Sequence, residues 1–464
     1  MTPKGPRRPP ADPARQVAYE VLRAVTADDA YANLLLPRLL REREVSGRDA
    51  ALATELAFGT LRHRATYDAV LARCVDRALD AVDAEVLDLL RLGCHQLLAT
   101  RVPPHAAVAT TVDLARTTVG PGRAGFVNAV LRRVATQDRA AWLAEVAALD
   151  DPLDALAVRH SHPRWVVSAF RDALGGDLAE TEALLLADNT PPPVTLVARP
   201  GRCTLDELAA AGATPGRWSA WAARWPAGDP ARVPAVQQGR AGVQDEGSQL
   251  VAIATAAVPV SGTDARWLDL CAGPGGKAAL LAGLGRDRGA RVTAVELQPH
   301  RADLVRATAG DTVDVVVADG TDARFGTGEY DRVLVDAPCT GLGALRRRPD
   351  SRWRRSVADV GRLGRLQRDL LASGVAAARP GGVVAYVTCS PHLAETAAVV
   401  ADVLRRRTDV ELVDARPFLP GVPQLGEGPT VQLWPHRHDT DAMFLALFRR
   451  KGPLIHPYGA SGTQ

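Results

Sequence analysis

The sequence has few cysteines, few lysines and few aromatic residues, and it contains no long apolar run. Six cysteines among 464 residues, none of them in a CxxC pair, exclude a disulfide-stabilised scaffold. No stretch approaches the roughly 20 uncharged apolar residues that a membrane span needs, and no apolar run follows the basic start MTPKGPRRPP, as a signal peptide would require. We therefore expect a protein of the cytosol that has no membrane partner.

Lysine is nearly absent, because the 56 basic residues include only Lys4, Lys277 and Lys451. This bias, together with abundant alanine, is typical of a genome-wide composition effect, so the number of arginines alone indicates little about partners. The net charge of +3 is equally uninformative. A lysine that is retained inside a domain, as Lys277 is, indicates a need for the ammonium group itself.

Apolar residues at spacings of three and four predict helices in the first part of the chain. The predicted helices are Ala14–Val25, Tyr31–Arg41, Arg48–Leu61, Thr66–Val75, Ala84–Ala99, Pro104–Thr118 and Ala124–Thr136. They predict a helical domain over residues 13–140. Because this domain holds no acid–base or metal constellation, its expected role is binding or assembly. Residues 1–12 and 451–464 are expected to be disordered tails.

Residues 141–242 are predicted to form a small α+β middle region that links the domains or binds RNA. A helical start is followed by the proline-rich and β-branched segment NTPPPVTLVARP at Asn189–Pro200. The tryptophans Trp218, Trp221 and Trp225 suit either base stacking or core packing, and we expect packing.

From residue 243 to residue 450, short apolar strands alternate with helices, which predicts a doubly wound, mainly parallel sheet. The predicted strands are Arg266–Leu270, Arg291–Glu296, Val313–Ala318, Arg332–Asp336, Val383–Thr388 and Met443–Phe448. Ligands of such sheets bind at the carboxyl ends of the strands. The residues that carry chemistry are therefore expected directly after each strand.

A glycine-rich loop, CAGPGGK, follows the first of these strands, which ends at Asp269. A P-loop is excluded because its first glycine and its Ser or Thr are replaced by Cys271 and Ala278. A dinucleotide-binding pattern is formally satisfied, but Asp269 would repel a pyrophosphate. An acid at this point suits a cofactor with an ammonium and a sulfonium group, which is S-adenosylmethionine.

Acids also end the next strands, and a carboxylate acts only as a hydrogen-bond acceptor. Glu296 is expected to accept hydrogen bonds from ribose hydroxyls, and Asp319 to bind an adenine amino group. A lone acid after a strand is more often a helix cap, but three in succession behind a glycine loop favour cofactor binding. The predicted cofactor-binding residues are Cys271, Ala272, Gly273, Pro274, Gly275, Gly276, Lys277, Glu296, Asp319 and Asp336.

Two cysteines follow neighbouring predicted strands, in Asp336-Ala337-Pro338-Cys339 and in Thr388-Cys389-Ser390, and they are expected to lie over one pocket. Such a pair suits the methylation of cytosine at carbon 5. A thiolate that adds to carbon 6 activates carbon 5, and a second group must then remove the carbon 5 proton. Either cysteine could be the nucleophile and the other the base, while Asp336 could hold ring nitrogen 3 or the exocyclic amine.

Residues Val243–Arg450 resemble the catalytic domain of RNA cytosine-5 methyltransferases, the NOL1/NOP2/Sun class, because DLCAGPGGK, DAPCTGLG and TCS occur together in this order. The helical front domain is similar to the antitermination factor NusB through ELAFGTLR at Glu55–Arg62 and GFVNAVLRR at Gly125–Arg133. With RHSHPRW at Arg159–Trp165, the whole chain resembles the bacterial members of the class that act on 16S ribosomal RNA.

The resemblance implies an all-α NusB-like domain, the α+β middle region and a Rossmann-like class I methyltransferase domain that uses S-adenosylmethionine. It implies 16S ribosomal RNA as the partner, and we expect a monomer that needs no metal. In RNA enzymes of this class the TCS cysteine attacks, which implies Cys389 as the nucleophile and Cys339 as the group that assists proton removal and release. The chain departs from the Glu-Asn-Glu that often follows TCS, since only Glu395 matches it.

The remaining candidates receive plainer interpretations. Cys74, Cys94 and Cys203 are expected in the core, and Cys271 is expected to contact the cofactor through its backbone. His392 and His436-Arg437-His438 lack the acid or cysteine that would complete a metal site, so solvent-facing loops are expected. The run RRRPDSRWRR at Arg346–Arg355 lies beside the expected base-binding pocket and is expected to contact phosphate.

Two other functions stay open at this point. A non-catalytic RNA-binding protein with a degenerate enzyme domain would suit the front domain, but the retained Asp269, Lys277 and both cysteines argue against degeneracy. An NAD-dependent oxidoreductase would share the glycine loop, but it gives no purpose to the paired cysteines.

Overall fold

In the computed structural model, which describes residues 12–226 and 228–452, the chain forms two units. One unit runs to Pro191 and includes Leu345–Arg355, and the other comprises Pro192–Ala344 and the chain from Ser356 onwards. The predicted disordered tails lie outside the described residues, apart from Asp12, Lys451 and Gly452. The predicted domain limits at 140/141 and 242/243 stay predictions.

The first unit is helical. Its helices are α1 Pro13–Ala27, α2 Ala32–Glu42, α3 Gly47–Arg62, α4 Arg64–Cys74, α5 Ala84–Ala99, α6 Pro104–Thr118, α7 Pro121–Val134, α8 Arg139–Val146, α9 Pro152–His160, α10 Arg164–Ala173 and α11 Leu178–Asp188. The helices predicted from periodicity are confirmed, each with ends within three residues of the expected position. Their apolar faces share one core, in which Leu56, Leu71 and Leu89 are fully buried.

The second unit begins with a small antiparallel sheet in the strand order β2-β3-β1-β4. Its elements are β1 Val194–Ala198, α12 Leu205–Ala210, β2 Thr214–Pro215, β3 Ala222–Trp225, α13 Pro234–Gln237 and β4 Ala241–Val243. Trp218 and Trp221 pack against the apolar core of this unit, and Trp225 packs against the core beneath the small sheet. The expectation of core packing for the three tryptophans is confirmed.

A large mixed sheet forms the rest of the second unit. Its elements are α14 Glu246–Ala257, β5 Arg266–Asp269, α15 Gly276–Gly285, β6 Arg291–Glu296, α16 Pro299–Ala309, β7 Val313–Val317, β8 Tyr330–Asp336, α17 Val357–Ala377, β9 Ala378–Thr388, α18 Ala397–Arg406, β10 Val410–Val413, β11 Val431–Gln432, α19 Pro435–His438 and β12 Phe444–Arg450. The strand order is β10-β12-β9-β8-β5-β6-β7, and β11 pairs with β12. Strands β9, β8, β5, β6 and β7 are parallel, so the predicted Rossmann-like sheet is confirmed.

The sheet brings the predicted site residues to one edge. In the register of the parallel strands, Asp269 of β5 lies opposite Leu334 of β8, and Asp336 lies opposite Val387 of β9. The carboxyl ends of β5, β8 and β9 are therefore neighbours. Among the described helices, none combines the length and the apolar character that a bilayer crossing requires.

Candidate active site

Asp269, at the end of β5, is fully buried below the glycine loop. The backbone N–H of Cys271 donates to its Oδ1 over 3.3 Å, whereas no described residue donates a hydrogen bond to its Oδ2. Burial, followed by repulsion from Asp336, raises the pKa of Asp269 to about 7. A buried carboxylate oxygen without a partner is costly, so this site favours a positively charged ligand group.

The glycine loop lies tightly against Glu296, the last residue of β6. The N–H of Gly273 donates to Glu296 Oε2 over 3.1 Å, and a Cβ atom at Gly273 would lie 2.2 Å from that oxygen. Gly275 has a φ of +107° at the start of α15, which favours glycine. Glycine is therefore required at both positions, for close approach at one and for backbone conformation at the other.

The two acids expected to bind the nucleoside differ in their surroundings. Glu296 is 5% exposed, and its Oε1 accepts a hydrogen bond from the N–H of Gln298 over 3.0 Å. Asp319 is exposed, and its Oδ1 accepts hydrogen bonds from the N–H and the hydroxyl of Thr321 over 2.8 and 2.7 Å. Asp319 thus stabilises its own turn, as a capping acid does.

Lys277 and Asp336 form an ion pair at the centre of the strand edge, with Nζ 2.8 Å from Oδ2. Burial disfavours the charged form of Lys277, but attraction by Asp336 and then by Cys389 outweighs it and raises the pKa of the ammonium. The cation therefore attracts negative charge on the Cys389 sulfur.

The two cysteines that follow β8 and β9 come together. The Sγ atoms of Cys339 and Cys389 are 3.4 Å apart, within hydrogen-bond distance for sulfur. This hydrogen bond, then burial, and then the negative charges of Cys389 and Glu395 raise the pKa of the Cys339 thiol well above its usual range. Both side chains are only half-buried, so a ligand can reach them.

Glu395 connects the segment that carries Cys339 to the segment that carries Cys389. Its Oε1 accepts a hydrogen bond from the Thr340 N–H over 2.8 Å, and its Oε2 accepts one from the Thr340 hydroxyl. That hydroxyl also lies 3.2 Å from the hydroxyl of Ser390. Because Glu395 is fully buried, it holds the residue that follows Cys339 in a fixed place.

Gln367 of α17 completes this support. Its Nε2 donates to the carbonyl oxygen of Pro338 over 2.9 Å and to Glu395 Oε1 over 3.2 Å. Sequence analysis missed the roles of Gln367, Thr340 and Ser390. The available signal was that Gln367 is a polar residue in the helical stripe that otherwise buries Val360, Leu363, Gly364, Leu370, Leu371 and Gly374.

The expectation that the arginine run 346–355 contacts phosphate is wrong for Arg346 and Arg352, which are buried. Arg352 is fully buried in the helical unit, where its Nη1 donates to the carbonyl oxygens of Arg62 and Ser161 and to Asn189 Oδ1. Arg346 is 3% exposed, and Arg348 is the run's one exposed arginine. Arg352 is internal because the helical unit supplies acceptors for its guanidinium.

The expectation that His438 lies in a solvent-facing loop also needs correction. His438 is fully buried, with Nδ1 accepting from the Trp434 N–H and Nε2 donating to the Pro423 carbonyl, each over 2.9 Å. It is a core histidine with both nitrogens satisfied, so the prediction of a solvent-facing loop is wrong there. Across the described residues, no three His, Cys, Asp or Glu side chains cluster as a metal site would.

The remaining cysteines fit their plain interpretation. Cys74, Cys94 and Cys203 are buried, as expected. Burial, followed by repulsion from Asp269, Asp336 and Glu296, raises the pKa of the Cys271 thiol well above its usual range. Cys271 is therefore a poor nucleophile.

Comparison with known proteins identifies both parts of the chain. Residues 258–449 match the family model "16S rRNA methyltransferase RsmB/F", and residues 12–136 match the NusB family. A Mycobacterium tuberculosis relative, named as a methyltransferase without a substrate, is 58% identical over 97% of this chain and 100% of its own. The Escherichia coli ribosomal RNA small subunit methyltransferase B is 31% identical over 94% of this chain and 98% of its own.

Solved structures show the same fold. The crystal structure of PH0851 matches with a TM-score of 0.77 at 21% identity, over 96% of this chain and 99% of that one. NSun6 from Pyrococcus horikoshii, crystallised with SFG, matches with a TM-score of 0.54 at 17% identity, over 62% of this chain and 98% of that one. By its sequence relatives, the chain belongs to the RsmB/F family of S-adenosylmethionine-dependent ribosomal RNA methyltransferases.

Proposed function

We propose that the protein methylates carbon 5 of a cytosine in 16S ribosomal RNA through a covalent bond between Cys389 and the base. The observation that carries the proposal is the 3.4 Å distance between the Sγ atoms of Cys339 and Cys389 beside the glycine loop. One thiol of such a pair can add to a base while the other handles a proton. The small-subunit RNA in the name of the Escherichia coli relative supports the choice of 16S RNA.

The residues of the strand edge fit S-adenosylmethionine. The unpartnered Oδ2 of Asp269 suits an ammonium group, Glu296 suits the ribose hydroxyls, and the backbone of residues 271–277 can approach the cofactor closely. Asp319 is assigned to the adenine amino group, and Asp336 borders the same site. When bound, S-adenosylmethionine supplies the methyl group that carbon 5 of the cytosine takes up.

The fixed charges support different roles for the two thiols. The Lys277 ammonium attracts a thiolate at Cys389, whereas the Glu395 carboxylate repels one at Cys339. Cys389 is therefore the thiolate that adds to carbon 6, and Cys339 begins the reaction as a thiol. Asp336 accepts a hydrogen bond from the exocyclic amine and so orients the base.

Formation of the covalent bond prepares Cys339 for its own step. Once the Cys389 sulfur is bonded to carbon 6, it carries no negative charge, and two of the causes that raise the pKa of Cys339 disappear. Cys339 then releases its proton to solvent more readily, and after carbon 5 has taken up the methyl group the Cys339 thiolate can take the proton of carbon 5. The bond between carbon 6 and sulfur breaks with its electron pair returning to Cys389, which restores the thiolate.

Bisulfite sequencing of ribosomal RNA tests the proposed function directly. In a strain without the gene, we expect one cytosine of 16S RNA to lose its protection from deamination, and complementation should restore it. An unchanged pattern, or a change confined to another RNA, would contradict the proposal.

The affinity for S-adenosylmethionine is expected to depend on the ionisation of Asp269. Because the pKa of Asp269 is about 7 in the free protein and a cationic ligand favours its ionised form, binding releases a proton at acidic pH. Affinity should fall by about tenfold per pH unit below 7 and level off above it. Calorimetric titrations at several pH values measure this dependence.

Asp269→Asn is the control for that experiment, since the ligand's own titration affects both proteins equally. The ratio of the two affinities isolates Asp269, and this ratio should grow with pH up to the plateau. A ratio that does not change with pH would show that the ionisation of Asp269 does not affect the binding of S-adenosylmethionine.

A further inference from the structure

A cavity of about 450 Å³ lies in the second unit and is lined by three arginines. Neither of the paired cysteines is among its described lining residues. Arg199 follows β1, Arg202 lies in the next turn, and Arg286 follows α15. Three small residues of α15, Ala279, Ala282 and Gly283, also line the cavity. The described lining contains a single carboxylate, that of Asp311.

The three guanidinium groups have no carboxylate partner among the described residues. Arg199 is 5% exposed, and its Nη1 donates to the carbonyl oxygens of Gly239 and Thr308. Burial, followed by repulsion from Arg202, lowers the pKa of Arg199. A buried cation that no anion compensates is costly, so an anionic ligand would stabilise this cavity.

Glycines shape the cavity around the arginines. Gly201 has a φ of +72°, and a Cβ atom there would lie 2.3 Å from Arg286 Nη1, which donates to the Gly201 carbonyl over 2.8 Å. A Cβ atom at Gly283 would lie 2.8 Å from the Pro200 ring. Each guanidinium has five N–H donors, and the hydrogen bonds to backbone carbonyls occupy a single nitrogen on each.

A second cavity of about 270 Å³ lies beside the glycine loop. It shares Arg199 with the first cavity, and Pro274 and Gly276 of the loop also line it. Gln244 lies in the same lining, and its buried Oε1 has no hydrogen-bond partner among the described residues. Arg199 and Gln244 thus place polar side chains in a cavity that the glycine loop also lines.

We propose that the arginine cavity binds a phosphate group of the RNA strand that the protein methylates. The proposal rests on the proposed function in one respect, namely that RNA is the substrate. Guanidinium groups match phosphate oxygens in geometry as well as charge.

Fluorescence anisotropy of a labelled single-stranded RNA of mixed sequence, bound to the full-length protein at a series of KCl concentrations, tests the proposal. The test variant is Arg202→Gln/Arg286→Gln, which leaves the buried Arg199 in place. The control is Arg306→Gln/Arg324→Gln, which removes the same charge from arginines of the same unit that pair with neighbouring aspartates. Thermal unfolding and the affinity for S-adenosylmethionine verify that each variant is folded.

The test variant should bind RNA several-fold more weakly, and its dependence of log affinity on log salt should become shallower by about 0.7 per lost phosphate contact. Gly201→Ala, which displaces Arg286, should change both quantities in the same direction. Equal losses in test and control variants would overturn the proposal. So would inorganic phosphate binding that depends on Arg202 and Arg286 while RNA binding does not. Because binding is measured without methylation, failure of the proposed function alone would leave the salt dependence intact.

Discussion

Replacing Cys389 with alanine is expected to abolish methyl transfer, and replacing Cys339 with alanine is expected to trap a covalent RNA adduct. Without Cys389 no thiolate adds to carbon 6, so carbon 5 stays unreactive. Without Cys339 the addition proceeds, but the carbon 5 proton is not removed and the bond to Cys389 persists. Transfer of a radiolabelled methyl group and a mobility shift on denaturing gels measure the two outcomes.

The two variants should give different results in these two assays. Both should bind S-adenosylmethionine normally, because neither side chain forms part of the glycine loop. Cys203→Ala is the matched control, since it removes a buried thiol from the same unit and should leave both readouts unchanged. An adduct that accumulates in Cys389→Ala would exchange the two roles. The absence of an adduct in every variant would exclude a covalent mechanism.

Much of the fold and of this site is encoded locally, which is why the sequence predicts it. Helices α5 and α6 begin and end where apolar periodicity and proline place them. The glycine loop and both cysteine motifs directly follow buried apolar strands, and parallel strands deliver such segments to one edge.

The parts that could not be predicted depend on partners distant in the chain. Glu395 is recognisable as an acid after TCS, but its hydrogen bonds to Thr340 and Gln367 join three separate segments. For the arginine run 346–355, by contrast, the sequence predicts a phosphate contact that is wrong for Arg352. Its charge pattern suits phosphate, and nothing local reveals that folded helices supply carbonyl oxygens to Arg352 instead.

Arg352 lies at the C-terminal ends of three helices in the helical unit. Its guanidinium donates to the carbonyl of Arg62, the last residue of α3, and to that of Ser161, which follows α9, over 2.9 and 3.1 Å. It also donates to the carbonyl of Asp188, the last residue of α11, over 2.9 Å. Terminal helix carbonyls have no partner within their own helix, and a cation there is favoured by the helix dipole.

Arg352→Met is therefore expected to destabilise the helical unit by roughly 3–5 kcal/mol, because several buried acceptors lose their donor while the apolar stem is retained. Urea unfolding followed by circular dichroism measures the loss as a shift of the transition that involves this unit. Arg348→Met removes the same charge from an exposed position in the same segment and should change stability by less than about 0.5 kcal/mol. Equal effects of the two substitutions would mean that the three helix ends do not depend on Arg352.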